Sequence, residues 1–71
     1  MRAREVTKRI EELGGIFVRQ VGSHRRYNAR TREGERVFTT VPMHNGDIPL
    51  GTLRAIEKDL APAFGKGWLV K

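Results

Sequence analysis

The stretch Ile16-Phe17-Val18-Arg19-Gln20-Val21-Gly22-Ser23-His24-Arg25-Arg26-Tyr27-Asn28-Ala29-Arg30 decides the fold. Ile16 to Val21 is rich in β-branched and aromatic residues, which suit a pleated, half-buried surface, so it reads as a strand. Gly22 and Ser23 make a tight turn, and His24 to Arg30 reads as a second strand. Side chains on a strand alternate between its two faces. Tyr27 and Ala29 therefore point to the core side, and His24, Arg26 and Asn28 point the other way.

Toward the C-terminus, Thr31 to Gly34 is a polar hairpin turn. Val37 to Val41 is a third strand, stopped by Pro42, which has no N–H to give to a ladder. Three short strands joined by short turns imply an antiparallel meander. Met43 to Gly51 reads as a loop carrying Asn45-Gly46 and Pro49. Leu53, Ile56 and Leu60 recur at i, i+3 and i+7 and predict a helix, capped by Gly51 or Thr52 and ended by Pro62. Toward the N-terminus, Val6, Ile10 and Leu13 recur at i, i+4 and i+7, so a helix is predicted from about Arg4 to Leu13. Gly14 and Gly15 follow where a left-handed cap would sit. Each helix has one apolar stripe, so both should cover the same sheet face and leave the other for solvent or a ligand. The fold class is α+β, in the order α-β-β-β-α, with a three-stranded antiparallel sheet and two helices on one face.

A length of 71 residues allows one domain, spanning 1–71. So small a domain buries only about 60% of its unfolded surface. With no cysteine, disulfides and cysteine-rich zinc sites cannot staple it. Residues 61–71 form a C-terminal extension containing Phe64, Trp68, Leu69 and Val70. It is too apolar for a free tail and should pack back or meet a partner. No apolar run approaches the roughly 20 residues needed to span a bilayer, and Met1 is followed by charged residues rather than a signal sequence. A cytoplasmic protein without membrane contact is expected.

The net charge is +6, from 14 basic and 8 acidic residues, and ten of the basic residues are arginine. Arginine's planar fork suits bidentate contact with phosphate. The excess points to a polyanionic partner, either nucleic acid or an acidic protein. Arg19, Arg25, Arg26, Arg30 and Arg32 concentrate on the first two strands and their turns, a denser cluster than a scattered surface gives.

Chemistry centres on Gly22-Ser23-His24-Arg25-Arg26-Tyr27. Glycine lets a backbone approach a phosphate closely, and serine adds a hydroxyl donor. Histidine both gives and takes a proton near neutral pH. The adjoining arginines can hold a phosphate and stabilise charge developing on it. These parts suit cleavage of RNA through its own 2′-hydroxyl, which needs neither a metal nor a protein nucleophile. Taken alone, a histidine at a strand start also fits a plain surface role.

A wider set of residues carries a resemblance. Leu13-Gly14-Gly15 leads into Phe17-Val18-Arg19-Gln20 and then the Gly22-Ser23-His24 turn with Tyr27. Val41-Pro42 and His44 follow, and Gly51-Thr52-Leu53-Arg54 with Ile56 opens the last helix. Over roughly residues 4 to 60 this resembles the HicA family of toxin–antitoxin messenger-RNA interferases. The resemblance implies a double-stranded-RNA-binding-like fold, metal-independent cleavage of messenger RNA without a cofactor, and a HicB-type antitoxin as partner. It places the catalytic histidine on His24 and the loop glycine on Gly22. Many members end soon after the second helix, whereas this chain continues through Phe64-Gly65-Lys66-Gly67-Trp68.

Gly22, Ser23, Arg25, Arg26 and Lys8 are the candidate RNA-binding residues beside His24. His44 is a possible second acid–base group. The plainer reading, a hydrogen-bonding loop residue, is preferred because the predicted sheet places it at the far end of a strand. Tyr27 can stack on a base, but its alternation with His24 favours the core. Trp68 fits a packing anchor better than an RNA platform. Two histidines twenty positions apart do not have metal-ligand spacing. Two rival readings remain open: a non-catalytic RNA- or DNA-binding module of the same fold, and an interaction protein whose basic face meets an acidic partner.

Overall fold

Ala3, Val6, Thr7 and Ile10 form the buried stripe of the first helix, α1, which spans Ala3–Glu12 in a computed structural model describing residues 1–70. Glu5 in its first turn accepts a hydrogen bond from the Arg2 N–H at 2.8 Å. Its charge also complements the positive end of the helix dipole. The chain leaves α1 through Gly14 at φ +98°, a conformation that side-chain-bearing residues avoid. Gly15 then donates to the Ile10 carbonyl at 2.8 Å. A Cβ on Gly15 would collide with Ile10 Cγ2, so its lack of a side chain lets the chain turn back against the helix.

Three strands follow: β1 (Ile16–Val21), β2 (His24–Arg30) and β3 (Arg36–Pro42). They form one antiparallel sheet in the order β1-β2-β3. The last element is helix α2, Leu50–Phe64. The order is α-β-β-β-α, as expected. The buried strand residues Tyr27, Ala29, Thr39 and Val41 lie on one face, and the buried Leu53, Ile56 and Leu60 of α2 share their core with Val6 and Ile10 of α1. Both helices thus cover the same side. Two polar contacts fix them there: the Tyr27 hydroxyl donates to Glu11 at 2.6 Å, and the Thr39 hydroxyl donates to Asp59 at 3.0 Å.

The second helix departs from expectation at both ends. It starts at Leu50 with Pro49 as N-cap and no side-chain cap, so neither Gly51 nor Thr52 starts it. It also continues through Pro62. A proline removes one backbone hydrogen bond and crowds the carbonyl four residues back. Here that loss falls within the last turn, where Ala63 and Phe64 pack against the core and the Gly65 N–H donates to the Ala61 carbonyl at 2.7 Å.

The tail packs back. Trp68 and Leu69 are buried, and Phe64 meets Trp68 edge-on with centroids 5.1 Å apart. The indole N–H donates to the Glu57 carbonyl at 2.8 Å, and the Glu57 carboxylate accepts from the backbone N–H groups of Leu69 and Val70. Trp68 is thus the expected packing anchor, with its polar atom satisfied inside the fold.

Candidate active site

The site is built by the hairpin between β1 and β2. Gly22, at φ +57°, occupies a backbone region that a side chain would strain, and it lets the chain reverse within two residues. Ser23, the other turn residue, is half-buried, and its carbonyl accepts from the Met43 N–H at 2.6 Å. The turn is thereby tied to the chain leaving β3. His24 opens β2 directly after it, opposite Val21 on β1 and Pro42 on β3. Its side chain is exposed on the sheet face that the helices leave uncovered.

A bulge completes that face. Phe17 pairs with Tyr27, but Arg19 pairs with Arg26, so Val18 is an extra residue on β1. Strict alternation from the inward-facing Phe17 would turn Arg19 inward as well. The inserted residue instead sends Arg19 outward beside Arg26, and Val21 outward beside His24. Arg19, Val21, His24, Arg26 and Thr40 together line a shallow depression of ≈ 180 Å³. No outward position among the paired strand residues is acidic: Arg19, Arg26, Arg30 and Arg36 share the face with Asn28, Phe38 and Thr40. A phosphate in the depression meets cationic groups and one imidazole, with no carboxylate opposing it on the strands.

Arg25 and Arg26 are neighbours in sequence and part company in space. Arg25 shares the helix-side face with Tyr27, its Nε donates to Gln20 Oε1 at 2.9 Å, and its guanidinium lies 5.6 Å from the centroid of Phe17. Gln20 in turn donates to the Gly22 carbonyl at 2.9 Å. Arg25 therefore braces the turn from behind. Arg26 faces out with His24, its guanidinium 4.7 Å from the centroid of Phe38. Lys8 is exposed on α1, away from the buried stripe and on the far side of the helix layer from His24. The structure thus gathers Gly22, Ser23, His24 and Arg26, and separates Arg25 and Lys8 from them.

His44 lies nearer than its sequence position suggests. Pro42 is the register partner of His24, so the chain leaves β3 at the same end of the sheet where β2 begins, not at the far end. His44 nevertheless lines a different depression, with Arg2, Ala3, Arg4, Met43, Asn45 and Gly46. The two imidazoles do not share a pocket.

Tyr27 is fully buried. Burial raises its hydroxyl pKa above the ordinary value, the hydrogen bond and negative charge of Glu11 raise it further, and Arg25 partly opposes them. It belongs to the core, as the alternation predicted.

The sequence alone puts Arg19 in the basic cluster but not in the site, and it gives no prominence to Thr40 or Phe38. Only the bulge brings Arg19 in, and no residue preference announces one here. Phe38 faces outward because the next residue on β3, Thr39, faces the core.

The fold and site define a small α+β protein with one uncovered cationic sheet face around an exposed histidine. A family model described as the HicA toxin of bacterial toxin–antitoxin systems matches residues 3–61, and the chain belongs to that family. It is therefore a toxin of a kind that is paired with an antitoxin. Neither the curated proteins nor the solved structures give a match. Among the described residues, no helix is long and apolar enough to cross a membrane.

Proposed function

We propose that this toxin is an endoribonuclease that cleaves messenger RNA, with His24 as its general acid or base. One observation carries the reading: His24 stands exposed in a depression flanked by Arg19 and Arg26, on a sheet face without acidic strand residues. In the proposed reaction the substrate's 2′-oxygen attacks the adjacent phosphorus and the 5′-oxygen leaves. The products are a 2′,3′-cyclic phosphate and a 5′-hydroxyl end. The proton lost by the 2′-hydroxyl and the proton gained by the 5′-oxygen balance, with His24 handling one transfer and water the other. Arg19 and Arg26 stabilise the charge that builds on the phosphoryl oxygens. The nucleophile belongs to the RNA, so the step requires no metal.

The antitoxin, in the same reading, is an acidic HicB-type protein that neutralises the toxin by covering His24. One cationic face then serves two polyanions in turn, and opposite charges speed the capture.

The test compares wild type with His24→Ala on RNA, in excess EDTA, and on a substrate with deoxyribose at the scissile position. Wild type should cut in EDTA and fail on the deoxy substrate. The folded variant should lose about 10²- to 10⁴-fold in rate. Its stability should change by less than about 1 kcal/mol, because His24 is exposed. Full cleavage by folded His24→Ala refutes the catalytic assignment. Binding without cleavage by wild type would make the protein a non-catalytic module of the same fold.

A further inference from the structure

The uncovered face is not uniformly polar. Register pairing arranges its outward side chains in rows across the strands: Val21, His24 and Pro42, then Arg19, Arg26 and Thr40, then Ile16, Asn28 and Phe38, then Arg30 with Arg36. The proposed cleavage uses the first two rows. The third carries an aromatic ring that is 42% exposed, on the face that the helices leave uncovered. An isolated exposed apolar residue is ordinary. Phe38 differs in its setting, because the Arg26 guanidinium already lies over its ring at 4.7 Å and arginines occupy the rows on both sides.

We propose that Phe38, with Arg26 lying over it, is a stacking platform for one unpaired RNA base. The inference rests on the open face being the RNA site. Four residues of β2 separate the rows of His24 and Phe38, about 13 Å along the strand. The platform would thus take a base beyond the nucleotides flanking the cleaved bond. Sheet surfaces suit this task, since splayed bases stack on aromatic rings and on arginine planes. Cationic rows on either side follow the sugar–phosphate backbone meanwhile. The occupant this chemistry fits is single-stranded RNA, because a duplex keeps its bases stacked on one another and offers no free base face.

The test uses a short 2′-O-methyl RNA, which cannot be cut, carrying one fluorescent purine at successive positions. Wild type, Phe38→Trp, Phe38→Leu and Phe38→Ala are titrated with it at several salt concentrations. Phe38→Ala and Phe38→Leu should each bind about 5- to 150-fold more weakly, and Phe38→Trp should match or exceed wild type. The salt slope should stay the same throughout, because stacking neutralises no phosphate. Purine emission should be quenched at one position, and only with wild type and Phe38→Trp. Unchanged affinity in Phe38→Ala overturns the proposal, and so does wild-type affinity in Phe38→Leu, which would mean apolar cover rather than stacking. Loss of antitoxin binding by Phe38→Ala with RNA binding intact would also overturn it and make the row a protein-docking patch. Because the probe is uncleavable, a wild type that binds it through Phe38 and cuts no natural RNA refutes the catalytic reading alone. A wild type that cuts RNA, with Phe38→Ala binding unchanged, refutes only the platform.

Discussion

Removing the Tyr27 hydroxyl should destabilise the protein without touching its chemistry. In Tyr27→Phe the ring remains fully buried, with its edge contact to Phe17 at 6.1 Å between centroids. What disappears is the 2.6 Å hydrogen bond to Glu11. A bond to a charged acceptor contributes about 1.5–3 kcal/mol. Glu11 is itself exposed, so water can take up the freed carboxylate oxygen and the loss should sit at the low end, about 1.5 kcal/mol. For a domain of this size that is roughly 6–12 °C in Tm. The pH dependence gives an independent check. The folded pKa of Tyr27 is raised, chiefly by burial, so the neutral form is favoured in the native state. Its contribution is therefore complete below the unfolded value of about 10 and is lost as pH rises through the folded value. Wild type should lose stability through that window, and Tyr27→Phe should be flatter there. Tyr27 is the only tyrosine, so tyrosinate absorbance follows it alone. Thermal melts across pH, with RNA cleavage measured well below Tm, test the argument. A Tm within about 1 °C of wild type, or a tyrosine titrating at or below its ordinary value, would refute it.

The remaining expectations follow from the same division between faces. Arg26→Ala should lower the salt slope of RNA binding by about 0.7 for each phosphate that is no longer neutralised, whereas Lys8→Ala should leave it unchanged. Arg25→Ala should act instead through the turn it braces, lowering Tm with the slope intact; a reduced slope for Lys8→Ala would place the RNA along α1. Gly15→Ala should cost about 1–3 kcal/mol by overpacking against Ile10, read by chemical denaturation, and a neutral effect would mean that the α1–β1 corner yields freely. In a purified complex with the antitoxin, His24 should be protected from a histidine-modifying reagent while His44 provides an internal comparison. Full reactivity of His24 in a stable, inactive complex would point to inhibition at a distance.

Much of this arrangement is legible because two periodicities are clear. The helical spacing of Val6 and Ile10 and the two-residue alternation through Tyr27 and Ala29 each identify a core face. Gly14-Gly15 and Gly22-Ser23 mark the reversals between them. The start of α2 is hidden because Pro49 caps it without any side-chain hydrogen bond, so no serine, threonine or aspartate announces it. Its end is misplaced because Pro62 is a strong local signal that the packing of Ala63 and Phe64 overrides. The site is half legible. Alternation alone assigns His24 and Arg26 to one face, and carried one step further it puts Arg25 on the other. Arg19 lies beyond it, since its direction depends on the extra residue Val18. The packing of Trp68 is legible from the apolar tail, but its hydrogen bond to the Glu57 carbonyl, eleven residues earlier, is not, since a reading of local pattern does not pair them.

The division of the sheet into two faces also explains why residues without any chemistry determine the site. A one-residue slip in β2 would carry every outward side chain inward. His24 would then point at the helices, and Tyr27 would leave the core. Much of what opposes the slip lies on the covered side: Tyr27 bonded to Glu11 of α1, Thr39 bonded to Asp59 of α2, and Val41 buried opposite Arg25. Each of these would have to break for His24 to move. The same logic leaves the open face cationic and outside the shared core. Substitutions there should change RNA binding or cleavage at nearly constant Tm, and substitutions on the covered face should change Tm first.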